Sequence, residues 1–182
     1  GRSLEKVEKI ASRYSEEITA QFSHHIVRLC ELSLAWLFRK IFTSIEIYHS
    51  EEMRELAQSS EVVYLPCHRS HLDYLILPVA LFQLGLMIPH TASGINLNFW
   101  PIGGLLRRGG TFFLRRSFAG NRLYAAVFSE YLHYLVSAGY PISFYLEGGR
   151  SRTGQLLKPK TGLLSMVADA GKENLSKPIV FI

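Results

Sequence analysis

From residue 61 to the end of the chain, short apolar runs alternate with longer amphipathic stretches, and this rhythm limits the possible architectures more than any other feature. Residues 62–65 lead into a helical pattern from about Asp73 to Leu84. Residues 87–92 lead into a short helical stretch near Phe99 to Arg107. Residues 111–115 lead into a helix from about Asn121 to Ala138, with Gly139 as its C-terminal stop. Residues 142–146 lead, past a Gly/Arg loop, into a helix from about Thr161 to Ala170, and residues 178–182 form a fifth run. Strands alternating with helices predict an α/β domain with a largely parallel sheet flanked by helices. There is no internal repeat and no low-complexity segment.

Ahead of this pattern the chain reads as an N-terminal helical segment. Residues 1–21 are polar, with Leu4, Val7, Ile10, Tyr14 and Ile18 at helical spacing. Residues 22–42 are strongly apolar, and His24, Arg28, Glu31 and Arg39 form one narrow polar stripe. That predicts a helix packed into the core on most sides, with a helix lying in a membrane interface as the other option. Charges interrupt it too often for a clean transmembrane span. The expected organisation is therefore 1–58 as the helical segment and 59–182 as the α/β domain. The chain starts at Gly1 and stops within an apolar run, so a piece of a longer protein, cut at both ends, is expected.

Hydrophobic residues make up 48% of the 182 and charged residues 19%, which argues against disorder and leaves apolar surface beyond the core. The formal net charge of +5 is uneven: between Arg107 and Lys160 nine lysines and arginines face two acids, Glu130 and Glu147. Such an excess suits anionic ligands. Two cysteines, Cys30 and Cys67, form no disulfide framework, so a reducing compartment is expected.

In an open α/β sheet, ligands sit beyond the carboxyl ends of the strands. His68, Arg115, Arg116, Glu147 and Arg150 each lie at or just past such an end. His68 and Asp73 are five positions apart, Asp73 in the first turn of the following helix, where its charge is favoured. From there it can reach back to a ring nitrogen of His68, and a histidine so oriented can take a proton from a hydroxyl near neutral pH. The spacing by itself also fits an aspartate that caps the helix beside an ordinary loop histidine. A Cys67–His68 pair is disfavoured because neighbours on extended chain point apart. His68-x-x-His71-x-Asp73 misses the binuclear-hydrolase spacing by one residue. Cys67, His68, His71 and Asp73 are too nearly consecutive to close a zinc tetrahedron.

Arginine forks bind phosphate bidentately. Of the adjacent Arg115 and Arg116, one is expected to face the cleft and the other to pair elsewhere. In Glu147-Gly-Gly-Arg-Ser-Arg-Thr-Gly154 the glycines permit a tight turn close to a ligand, and Arg150 and Arg152 can face one anion. Gln155 stands where a Walker loop needs lysine, and no Gly-x-Ser-x-Gly elbow occurs.

His68-Arg-Ser-His-Leu-Asp73, Gly110-Thr-Phe-Phe-Leu-Arg-Arg116 and Phe144-Tyr-Leu-Glu-Gly-Gly-Arg-Ser-Arg-Thr-Gly154 resemble, in order and spacing, the first three motifs of the glycerol-3-phosphate acyltransferases. Gly94-Ile-Asn-Leu-Asn-Phe-Trp100 is similar to the bacterial membrane-associated form. The likeness runs from about residue 60 to the end, where Ile179–Ile182 would begin the fourth motif. It implies a glycerolipid-acyltransferase-like fold and transfer of a fatty acyl group from acyl carrier protein or coenzyme A to the 1-hydroxyl of glycerol 3-phosphate, giving lysophosphatidic acid. By motif, His68 is the general base and Asp73 its orienting partner. Arg116, Arg150 and Arg152 are phosphate-site residues, and Glu147 and Gly148 shape the acceptor pocket.

The donor thioester is already activated, so no enzyme nucleophile, metal or other cofactor is expected. Backbone amides near Gly148 and Gly149 are candidate donors to the oxyanion. Expected partners are glycerol 3-phosphate, the acyl thioester and a membrane surface, without nucleic acid. The expected location is the cytoplasmic face of the inner cell membrane, peripheral or monotopic. Alternatives are lysophosphatidate or dihydroxyacetone phosphate as acceptor, or a non-catalytic module that binds anions or lipid surfaces.

Overall fold

The computed structural model describes residues 4–118, 120–172 and 175–182. Three helices come first: α1 (Leu4–Ile18), α2 (His24–Ile41) and α3 (Ser50–Ser59). Then strands and helices alternate: β1 (Glu61–Tyr64), α4 (Asp73–Gln83), β2 (His90–Gly94), a 3₁₀ turn at Ile95–Leu97, α5 (Ile102–Arg108), β3 (Thr111–Leu114), α6 (Arg122–Ser137), β4 (Ile142–Ser143), α7 (Gly162–Ala170) and β5 (Ile179–Phe181). The strands form one sheet in the order β3-β2-β4-β1-β5, and every pairing is parallel. The α/β architecture with a parallel sheet is the one the alternating pattern predicts.

Side chains alternate across a strand, so β1 feeds both faces. Val63 joins the larger core with Phe112, Tyr124, Phe128, Leu132, Ile142 and Val167, under α1, α6 and α7. Val62 and Tyr64 point the other way, into a smaller cluster with Leu81 of α4, flanked by Met53 and Ala57 of α3. On α6 the buried residues Tyr124, Phe128, Leu132, Leu135 and Val136 recur at helical spacing. Its start is capped by the Asn121 side chain, which accepts from the Tyr124 amide at 3.1 Å. Its end is the expected glycine: Gly139 has φ +75°, and the amides of Gly139 and Tyr140 return to the carbonyls of Val136 and Leu135.

The N-terminal segment is tied into this frame. Ile18 is fully buried in the larger core. Arg107 donates to the carbonyls of Thr19 and Glu17 at the end of α1, where a cation is favoured.

Four local expectations change. The strand expected at 87–92 begins only at His90, because Pro89 has no N–H to offer and the ladder starts where His90 donates to the Pro141 carbonyl. The strand expected at 142–146 holds only Ile142–Ser143. Its chain turns away at Tyr145, whose carbonyl accepts from Gly148. α3 has no counterpart in the sequence reading: it is a polar helix with no buried residue, and periodicity does not single it out. Finally, α2 is not buried on most sides. Val27, Ala35 and Phe38 face inward, while Leu29, Leu32, Trp36 and Ile41 stand between 51% and 63% exposed.

The strand order sets the site. The connection after β1 crosses over β4 to reach β2, and the connection after β4 crosses back over β1 to reach β5. Two adjacent strands whose connections leave in opposite directions open a crevice at their carboxyl ends.

Candidate active site

The loop after β1 carries His68 into that crevice, and α4 begins at Asp73. Asp73 Oδ2 accepts from the amides of Arg69 at 2.7 Å and Ser70 at 2.8 Å and lies 3.0 Å from His68 Nδ1. A carboxylate can only accept, so Nδ1 carries the proton of that bond, and in the neutral ring Nε2 keeps its lone pair. Burial by itself would raise the Asp73 carboxyl. The amide of Ser70, the His68 ring, the amide of Arg69 and the charge on His68 outweigh it and hold the carboxyl below its ordinary value. Asp73 therefore stays ionised and keeps one tautomer of His68 in place.

The loop after β4 closes the other side. The Ser151 amide donates to the His68 carbonyl at 2.9 Å, stitching the two loops together. Tyr145 lies 4.4 Å from the His68 ring and Tyr74 4.8 Å from it, and the two tyrosines are 4.9 Å apart. This aromatic wall leaves His68 only 5% exposed. Burial pushes both phenols up, with further upward pressure from Asp73 on each and from Tyr74 on Tyr145, so both hydroxyls stay protonated near neutral pH.

Glu147 is buried, and its Oε2 accepts from the Leu157 amide at 2.6 Å. Its carboxylate thus pins the returning arm of the loop, and the Ser151 hydroxyl adds a bond to the Gln155 carbonyl. Gly148 takes φ +61°, a conformation that favours glycine, and its N–H goes to the Tyr145 carbonyl. The Gly148 amide is thereby engaged inside the turn and does not serve as an oxyanion donor in this arrangement.

Of the two adjacent arginines, Arg115 is the one that pairs elsewhere. Arg115 forms a two-pronged bridge with Glu17 of α1, 2.7 Å on each prong, and its guanidinium lies 5.0 and 4.7 Å from the ring centres of Tyr14 and Tyr124. Arg116 is exposed just past β3, at the same edge of the sheet as His68 but beyond β2 and β4. Arg150 is half-buried and Arg152 exposed on the loop after β4. Among the described residues none of these three is bridged to a carboxylate.

The structure thus joins His68, Asp73, Gly148 and Glu147 in one pair of loops and sets the three arginines around the same edge. Sequence reasoning missed the tyrosine wall and the amides of Arg69, Ser70 and Ser151. Tyr145 belongs to an apolar run and reads as core, and backbone donors leave no mark in residue identity.

A proton acceptor held by an ionised carboxylate is equipped to deprotonate a substrate hydroxyl. The Acyltransferase family model matches residues 44–181, and the chain belongs to that family. It is 52% identical over 180 residues to a protein of Ectopseudomonas mendocina named glycerol-3-phosphate acyltransferase, covering 99% of this chain and 22% of that protein. A protein of the same name from Pseudomonas aeruginosa is 50% identical over 180 residues, with the same coverage. One from Aeromonas hydrophila is 49% identical over 183 residues, covering 100% of this chain and 23% of that protein. The chain spans about a fifth of the length of the relatives it matches.

Proposed function

We propose that this chain carries the acyl-transfer centre of a glycerol-3-phosphate acyltransferase. His68 Nε2 takes the proton of the acceptor's 1-hydroxyl as the oxygen attacks the thioester carbonyl. The tetrahedral intermediate collapses with loss of the thiolate, to which the imidazolium returns the proton. The products are 1-acylglycerol 3-phosphate and free thiol, from acyl carrier protein or coenzyme A. Base catalysis of this kind contributes about 10²–10⁴-fold, and the rest comes from positioning and from charge stabilisation at the carbonyl oxygen. Arg116, Arg150 and Arg152 hold the acceptor's phosphate, Gly148 lets the chain turn tightly, and Glu147 keeps the loop in shape. The chemistry needs no cofactor beyond the donor.

The observation that carries this reading is the His68–Asp73 bond, with His68 joined to the loop after β4 through the Ser151 amide. The names of the relatives favour glycerol 3-phosphate over lysophosphatidate or dihydroxyacetone phosphate as acceptor. A non-catalytic module would have no use for a buried histidine held in one tautomer. The test is thiol release from acyl-coenzyme A and from acyl carrier protein by the full-length protein, with and without each acceptor. Glycerol 3-phosphate should drive release, and His68→Ala should abolish it. Release independent of any acceptor, or undiminished in a folded His68→Ala variant, would refute the proposal.

Among the described residues no helix is long and apolar enough to cross a membrane. The exposed row Leu29, Leu32, Trp36 and Ile41 on α2 instead supports a protein lying on the cytoplasmic face of the cell membrane, where its product belongs.

A further inference from the structure

We propose that Lys160 is a substrate-binding residue that reaches back over Gly148 to hold the acceptor's phosphate beside Arg150; this deepens the acyltransferase reading and rests on it. The loop after β4 is a narrow hairpin. Its outgoing arm is Leu146 to Ser151, and besides the Ser151–Gln155 bond its returning arm is held to it by Leu157 N–H to Glu147 Oε2 at 2.6 Å and by Lys160 N–H to the Leu146 carbonyl at 2.8 Å. The Lys160–Leu146 bond sets the root of the Lys160 side chain beside the turn. A Cβ placed on Gly148 would lie 2.8 Å from Lys160 Cδ and 3.3 Å from its Nζ. The lysine stem therefore lies over the face of the turn that glycine leaves bare, and the ammonium ends beside Gly148, two residues before Arg150 in the chain.

That location is tied to the base. Tyr145, three residues before Gly148, packs on the His68 ring, and Ser151, three residues after it, donates to the His68 carbonyl. Among the described residues no carboxylate bridges Lys160. A lysine ammonium adds a compact point charge with three donors to the planar fork of Arg150. Gly148 then serves two purposes: it adopts a left-handed backbone conformation and it makes room for the lysine stem.

The test uses the full-length protein with acyl-coenzyme A as donor. Lys160→Met should raise the KM for glycerol 3-phosphate about 10- to 100-fold, the usual loss for a charge-assisted bond. It should leave kcat and the KM for the donor within about threefold. Lys160→Arg should recover most of the affinity. Lys158→Met, which removes an exposed charge two positions away, should change little. If the parent enzyme acylates glycerol 3-phosphate and Lys160→Met keeps the parent KM, the assignment of Lys160 falls and the acyltransferase reading stands. An equal effect from Lys158→Met reduces the role to general surface charge and also overturns it. A loss confined to kcat overturns the phosphate role. If the parent does not acylate glycerol 3-phosphate at all, both readings fall together.

Discussion

Replacing Asp73 with asparagine separates the charge of the dyad from its geometry. Oδ2 of Asp73 takes three hydrogen bonds, from His68 Nδ1 at 3.0 Å and from the amides of Arg69 and Ser70 at 2.7 and 2.8 Å. An amide oxygen in the same place can accept all three, so the turn and the ring orientation survive. What disappears is the negative charge facing the imidazolium that forms as the substrate hydroxyl loses its proton. At the observed 3.0 Å separation, two unit charges attract by roughly 5 kcal/mol at an effective dielectric of about 20. A proton somewhat more than half transferred realises roughly 3 kcal/mol of this, which is about 100-fold in rate. In thiol-release assays of the full-length protein, kcat should fall about 100-fold while the KM for glycerol 3-phosphate moves by less than about threefold. Asp73→Ala should lose more, because it also strands two amides and frees the ring. Thermal melting of both variants establishes that they fold. A folded Asp73→Asn enzyme with a kcat within about threefold of the parent would refute the reasoning.

Because the Asp73 carboxyl is held below its ordinary value, it contributes stability that is complete above the unfolded value and is lost as pH falls through the lower folded one. Urea unfolding should therefore show the gap between parent and Asp73→Asn closing as pH drops below about 4, and a gap that widens there would contradict the assignment. Tyr145→Phe should leave kcat within about threefold of the parent, since the ring rather than the phenol touches His68, whereas Tyr145→Ala should destabilise the fold by about 3–5 kcal/mol and lower kcat as well. Leu32→Glu and Trp36→Glu on α2 should each weaken binding to anionic lipid vesicles about tenfold in flotation assays, with little change in turnover of soluble donor.

The parts legible in the sequence were those written in local pattern. The ends of α6 follow from Asn121 and Gly139, a side-chain acceptor before the helix and a left-handed residue after it. The His68–Asp73 pair is equally local, because five residues span it and the start of α4 turns the carboxylate back. That one of Arg115 and Arg116 pairs elsewhere was expected, but neither which one nor its partner was: Glu17 lies 98 residues from Arg115. α2 shows the limit of periodicity, since a helix apolar on most sides reads alike whether core or another surface covers it. The short β4 shows another limit. Its apolar run continues and β2 runs on to Gly94, but the pairing stops at Ser143 and the chain turns at Tyr145 to deliver Glu147 and Gly148 to the crevice.

Spacing along the chain determined which residues can act as a pair and which runs become strands, because hydrogen bonds across one turn and side-chain alternation are properties of neighbours. Tertiary structure alone decided that β4 lies between β1 and β2. That placement, a matter of crossover direction, puts the loops after β1 and β4 side by side. It brings Tyr145 onto His68 and joins Ser151 to its backbone. Sequence shows a base and a glycine-rich loop 80 residues apart; only the strand order makes them one site.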